Sequence, residues 1–301
     1  MKRVSYRKAL NLARCRLANM DEITAEYALP ELVAPAELRI RPHVTIAAKT
    51  DLGRVRENNE DKFEHYLCED APRLASRGLL FVVCDGMGGH AAGQIASELA
   101  CKTFIDVYLN HPATEPDVAL RSAANAANRY VFDIAQAIPA RRGMGTTLSS
   151  VALIQDRAYV SHVGDSRVYR WRNGEFACLT RDHVFKVEMV AKGILTFEEA
   201  ERHEQRNMLM RAVGVEPNLE VDIDEHELRE GDRFLLCSDG LLNHVGDADI
   251  ARALGEMSPS EAVWKLVNQA LVEGGSDNCT VMIVRVDRLE HLVPPDSLGD
   301  N

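Results

Sequence analysis

Four aspartates stand where apolar stretches of this 301-residue chain end or begin beside a small residue. LLFVVC runs into Asp85-Gly86, SHVG into Asp165-Ser166 and RFLLCS into Asp239-Gly240, while Asp277-Asn278 precedes CTVMIVRV. A strand interior is costly for a carboxylate, but a strand end can present one rigidly to a common rim. A single Asp-Gly marks a turn; four repetitions at the ends of the most apolar segments point to convergence. Converged like charges repel and need protons or cations between them. Hard oxygen ligands without accompanying His or Cys select Mg²⁺ or Mn²⁺ over zinc or copper, and such ions let an acidic protein hold an anionic substrate. The segment from Thr50 to Asp61 (TDLGRVRENNED) adds a guanidinium with its rigid fork and the adjacent carboxylates Glu60 and Asp61. That is equipment for gripping a phosphate beside a metal cluster.

Side chains so placed need strands to carry them. Runs of β type occur at 44–50 (with His43 leading in), 79–85, 147–154, 157–165, 167–171, 233–239 and 279–286, and helical periodicity at 91–109, 116–137, 184–192, 247–255 and 259–273. Ser258 is the N-cap candidate of the last helix, and Gly274-Gly275 stop it. The runs 147–154 and 157–165, and again 157–165 and 167–171, are separated only by tight turns, which favours antiparallel hairpins over β-α-β crossovers. Clustered strands with helix pairs place the chain in the layered α+β class, and no internal repeat is present.

Composition narrows the partners. A net charge of −11 from 35 basic and 46 acidic residues argues against nucleic-acid binding. The longest apolar stretch, residues 79–84, is far too short to cross a bilayer. Arg7, Lys8, Arg14 and Arg16 interrupt any secretory apolar segment. Seven cysteines without a C-x-x-C pair imply reduced thiols and a cytoplasmic setting. Cys84, Cys237 and Cys279 each lie within two residues of one of these aspartates, so a soft-metal site is an alternative, although no His partner recurs at zinc spacing. Residues 1–20 hold six basic residues and no acidic one, leaving −17 on the rest. Leu10, Leu12, Ala13 and Leu17 line one face of a short helix there, suited to an acidic partner or an anionic membrane surface, or to simple solvation. An organelle transit peptide is a weaker alternative, with one Ser in those twenty residues. Pro30, Pro35 and Pro42 then break the chain, giving a basic extension over 1–40, a domain over 41–288 and a tail over 289–301.

The ordered set RENNED (56–61), DGMGGH (85–90), GMGTTL (143–148), VGDSRVY (163–169), LTRDH (179–183), MRAVG (210–214), LLCSDGL (235–241) and SDN (276–278) resembles the bacterial branch of the metal-dependent PP2C (PPM) Ser/Thr protein phosphatases, over about residues 43–287. The resemblance implies a four-layer α-β-β-α sandwich of two antiparallel sheets flanked by helix pairs, with two Mn²⁺ or Mg²⁺ ions at one end and a weaker third. It implies hydrolysis of phosphoserine and phosphothreonine in proteins by a metal-bridging water, by a monomeric enzyme opposing a Ser/Thr kinase. Carried over by motif, Asp85 bridges the two ions, Gly86 lends its carbonyl, and Asp239 and Asp277 complete one shell. Asp165 serves the third ion, Arg56 clamps phosphate, Asp61 orients metal-bound water, and Glu60 is a metal or water contact. A charged helical insertion at 183–207 resembles the family's flap, which shapes substrate choice.

Two departures stand out. Eukaryotic members carry His directly after the Asp-Gly pair, where this chain has Met87, leaving His90 or a metal-bound water to protonate the leaving oxygen. Val184 replaces a Ser common after the Asp-His of the flap motif. Competing readings are a dinucleotide enzyme, since G-M-G-G-H-A fits a G-x-G-x-x-A fingerprint after a strand, and a catalytically silent phosphoprotein-binding module. Asp85 would point a carboxylate at a pyrophosphate, which counts against the first. Every expected carboxylate is present, which counts against the second.

Overall fold

The computed structural model describes residues 16–19, 22–24, 36–89 and 91–292. The chain divides into two units, Met1–Pro35 and Ala36–Asn301. The first contains an antiparallel ribbon of β1 (Arg16–Asn19) and β2 (Glu22–Thr24). Most of the basic helix expected around residues 10–17 lies outside the described residues, and at its end Arg16 and Leu17 are in strand, paired with Thr24 and Ile23. Those two β-branched partners favour the ribbon.

The second unit runs β3 (Ile40–Asp51), β4 (Lys62–Tyr66), α1 (Ala71–Arg77), β5 (Leu79–Cys84), β6 (Gly86–Met87), α2 (Ala91–Asn110), α3 (Pro116–Ala137), β7 (Gly145–Thr146), β8 (Leu148–Ile154), β9 (Arg157–Val163), β10 (Arg167–Arg172), β11 (Glu175–Cys178), α4 (Phe185–Ala191), α5 (Phe197–Arg202), β12 (Asp222–Glu227), β13 (Arg233–Cys237), α6 (Asp239–Leu242), α7 (Asp247–Glu256), α8 (Pro259–Val272) and β14 (Cys279–His291). Two five-stranded sheets form, ordered β11-β10-β13-β14-β3 and β12-β9-β8-β5-β4, with every pairing antiparallel.

The central strands are apolar throughout because both faces are covered. On β5, Leu80, Val82 and Cys84 pack against α2 and α3, whereas Phe81 and Val83 meet the other sheet. On β13, Phe234 and Leu236 enter that inter-sheet core while Leu235 and Cys237 face α7 and α8. Strand β14 divides likewise, with Met282 and Val284 inward and Val281 and Ile283 toward the helices. The order is therefore helices, sheet, sheet, helices, the layering that the family resemblance implied. The helix boundaries carry their own signals: Ser258 and Glu261 close a capping box at the start of α8, with Pro259 in its first turn.

Several features differ from the sequence expectation, among them the short elements α1, β6 and β7. The 147–154 and 157–165 runs do form a hairpin, but β10 leaves β9 for the opposite sheet, so the turn at 164–166 crosses between sheets. Gly164, at φ +111, allows that crossing, and a side chain there would collide with Thr147. Strands β4, β11 and β12 were not anticipated, because their edge positions leave sequences such as DIDEHE polar. Strand β14 continues to His291, past the expected domain end at 288. An all-antiparallel arrangement around β5 also removes the dinucleotide reading, which needs a parallel sheet. Among the described residues no helix is long and apolar enough to cross a membrane.

Candidate active site

Strands that end at the same edge of the sandwich deliver the acidic side chains to one place. Asp85 follows β5, Asp165 sits in the crossing turn after β9, Asp239 opens α6 after β13, and Asp277 precedes β14. With Arg56, Glu60, Gly86, Met87, Thr147 and Asn278, these four line a cavity of about 320 Å³. Asn207 and Leu209, from the segment after α5, form its far wall. Asp61 lies behind, buried at 2 % exposure. Of the candidate catalytic and metal-binding residues, only His90 lies outside the described residues.

Around Asp85, Glu60 and Asp61 the chain is held by neutral polar groups of the same motifs. The Asp85 N–H donates to Thr147 Oγ1 (2.8 Å), and the Asp85 carbonyl accepts from Thr147 N–H (2.8 Å) and Thr146 Oγ1 (2.8 Å). Gly86 pairs with Thr146 in the short β6-β7 ribbon. Asn278 clasps two segments: its Oδ1 accepts from Glu60 N–H (2.8 Å), and its Nδ2 donates to the carbonyls of Leu52 (2.9 Å) and Asn58 (3.0 Å). Ser238 donates to Asp61 Oδ2 (2.7 Å) while accepting from Thr280 N–H (2.9 Å). Ser238 and Asn278 adjoin Asp239 and Asp277 in the chain, whereas Thr146 and Thr147 are remote from Asp85 and carry no local signal.

Burial and mutual repulsion dominate the electrostatics. Burial, then Asp61, Asp239, Asp165 and Asp277 in that order, push the Asp85 carboxyl well above its ordinary range. Burial raises Asp165 to about 7, with help from Asp239 and Asp182. Asp61 is raised to about 6 by burial, against hydrogen bonds from Thr280 and Ser238 that favour its charged form. Burial and Asp277 raise Asp239. Arg56, 53 % exposed, donates through Nη2 to Asp277 Oδ2 at 2.6 Å, and this bond raises its pKa further.

The residues fit a hard divalent cation. Asp61 Oδ1 is buried and makes no hydrogen bond, an orphaned acceptor that asks for a positive partner. All the converging donors are oxygens. Among the described residues no three acidic, imidazole or thiol groups stand close enough together to hold a metal ion as they are; Asp277, for instance, gives its oxygens to Arg56 and to Asn278 N–H. The soft-metal alternative fares worse. Cys84, Cys237 and Cys279 are buried on the helix-facing sides of their strands, and burial pushes Cys279 up to about 12.

The segment expected as a flap contains α4 and α5. It is fastened to the domain by Met210 N–H to the His183 carbonyl (2.7 Å) and Phe185 N–H to the Met208 carbonyl (2.8 Å). Thr196 and Glu199 form a capping box on α5. Beneath the crossing turn, Gly164 N–H donates to His183 Nδ1 (3.1 Å), which leaves Nε2–H to donate to Asp222 (3.0 Å). His162 packs 4.7 Å from that ring, bridging Ser149 Oγ and the Arg181 carbonyl.

Burial, and then His183, depress His162 to about 4 from its ordinary 6.5. The unfolded chain therefore binds the extra proton between pH 6.5 and 4 while the folded one does not, so stability falls as pH drops through that window. The expected loss from this group is about 3 kcal/mol between pH 7 and pH 4. Urea unfolding at a series of pH values checks it: His162→Gln, which has nothing to titrate there, flattens the slope by about that amount.

A family model described as protein phosphatase 2C matches residues 57–273. The chain is 38% identical over 243 residues to the serine/threonine protein phosphatase PstP of Mycobacterium tuberculosis, covering 80% of this chain but 44% of that protein, so it spans less than half of that relative. It is 34% identical over 244 residues to the serine/threonine phosphatase stp of Listeria monocytogenes, covering 79% of this chain and 94% of that one. A crystal structure of the PstP catalytic domain in complex with two manganese ions superposes with a TM-score of 0.69 at 36% identity, covering 81% of this chain and 99% of that one.

Proposed function

The chain belongs to the protein phosphatase 2C family, and from that premise we propose that it is a divalent-metal-dependent phosphatase acting on phosphoserine and phosphothreonine in proteins. The observation that carries this reading is the convergence of Asp85, Asp165, Asp239 and Asp277 with Arg56 on one cavity, backed by the buried Asp61. Asp85 with the Gly86 carbonyl, Asp239 and Asp277 would hold a pair of Mn²⁺ or Mg²⁺ ions, and Asp165 a weaker third. Paired cations, when bound, lower the pKa of a water toward neutrality and neutralise charge on the phosphoryl oxygens.

The chain's own groups supply positioning. The Arg56 fork, held at the cavity by Asp277, grips the phosphoryl oxygens and fixes the in-line approach. Asp61, kept partly charged by the Ser238 hydroxyl, orients a water through its remaining oxygen, and Glu60 lines the same wall. The leaving Ser or Thr oxygen needs a proton, for which the sequence offers His90. A Ser/Thr kinase must produce the substrate, so the two enzymes would act in opposition. The thiols of Cys84, Cys237 and Cys279, buried in the core and outside any disulfide, support a reducing, cytoplasmic setting.

Release of phosphate from phosphothreonine peptides, measured with Mn²⁺, with Mg²⁺ and after chelation, tests the proposal. Turnover is expected with either ion and should fall to background with chelator. Hydrolysis that survives chelation would remove the metal from the reaction.

A further inference from the structure

A second depression of about 420 Å³ opens beside the catalytic cavity, within the size of clefts that take part of a ligand. Met87 and Leu209 line both, so they form a sill between the two spaces. The floor depends on Gly145. A Cβ there would stand 2.7 Å from Val215 Cγ2 and 2.8 Å from Met87 Cε, so the missing side chain is what lets Met87 and Val215 close over the strand. Met87, the residue that replaces the eukaryotic His, is thus built into this sill. Met210 and Val215 add exposed apolar surface, at 40% and 39%.

The charges around the depression are unequally committed. Arg211 donates to Asp222 at 2.8 Å and to Glu188 at 3.3 Å, and Lys192 lies 3.8 Å from the same Glu188. Arg211 is engaged at hydrogen-bond distance, while Lys192, 57% exposed, is held only by that looser pair. On the outer rim Glu216 is exposed, and Glu220, 79% exposed, has a similarly loose contact, 3.9 Å from Arg211, so two outward acids face one loosely held base. An apolar floor continuous with a phosphate-sized cavity, under an acidic rim, matches a polypeptide leaving the cavity with an apolar side chain first and a basic one beyond.

We propose that this groove receives the substrate polypeptide flanking the phosphorylated residue, and that it selects an aliphatic neighbour followed by Lys or Arg. The inference rests on the phosphatase reading above, because it takes the cavity as the phosphoryl site. Small phosphate monoesters end at the sill and do not report on the groove, which gives the test an internal reference.

The experiment measures kcat/KM with Mn²⁺ for three substrates: a phosphothreonine peptide with Leu and Arg flanks, the same peptide with Asp flanks, and p-nitrophenyl phosphate. Wild-type protein is expected to prefer the Leu/Arg peptide over the Asp peptide by roughly threefold to tenfold or more. Combining Glu216→Lys with Glu220→Lys should abolish or invert that preference. Val215→Asp should lower the ratio of peptide to p-nitrophenyl phosphate efficiency by about tenfold. These positions are exposed, and ratios cancel any difference in active fraction. Equal peptide efficiencies in wild type, a preference unchanged by the charge reversals, or an unchanged ratio in Val215→Asp would overturn the groove while leaving the phosphatase intact. Absence of Mn²⁺-dependent hydrolysis of all three substrates would overturn both.

Discussion

Asp85→Asn is expected to reduce phosphopeptide turnover by on the order of 10³ while making the metal-free protein more resistant to heat. The first effect follows from position. Asp85 is the acid on which the fields of Asp61, Asp239, Asp165 and Asp277 all bear, so a cation pair drawn to this cluster is drawn to it most strongly. Asn keeps the shape and one oxygen but removes the charge, and several kcal/mol of charge stabilisation would leave with it. The second effect follows from the same crowding. A carboxylate held well above its ordinary pKa by burial and four acidic neighbours is an unfavourable interaction in the folded state. Neutralising it relieves that repulsion, and each kcal/mol so recovered raises Tm by about 2–4 °C in a domain of this size. Calorimetry in chelator and phosphate release in Mn²⁺ check the two halves separately. A variant that loses both activity and thermal stability would instead mark Asp85 as a structural residue.

That opposition between stability and function explains why much of the site was legible in the sequence. LLFVVC and RFLLC are buried on both faces, so nothing local calls for a charge at their ends, and Asp85 and Asp239 stand out as violations of the pattern. Supporting groups were harder to read. Thr147, Ser238 and Asn278 fit the turns in which they sit, and their roles depend on partners up to 226 residues away, as with Asn278 and Leu52. The edge strand DIDEHE has no apolar alternation strong enough to announce it, although it carries Asp222, the partner of both His183 and Arg211. The crossing at Gly164 was misread for a related reason. A turn of the length that suits a hairpin equally suits a change of sheet, and only Thr147 and His183 on either side decide between them.

Arg56→Ala is expected to lower kcat/KM for phosphopeptides by about 10²–10³, with Arg56→Lys recovering only part of the loss. The guanidinium has two tasks that these substitutions separate. Through Nη2 it neutralises Asp277 at 2.6 Å, a job for any cation of similar reach. Gripping a phosphoryl group in the correct orientation needs several N–H donors in one plane, which an ammonium lacks. Lys at this position should therefore hold Mn²⁺ affinity, measured by calorimetric titration, near the wild-type value, because Asp277 keeps a positive neighbour. Its kcat/KM should nonetheless stay about tenfold or more below wild type, and inhibition by inorganic phosphate should weaken in parallel. Full recovery of kcat/KM by Lys would mean that Arg56 serves only to balance the charge of Asp277. An Ala variant that binds phosphate as well as wild type would place the phosphoryl grip elsewhere in the cavity.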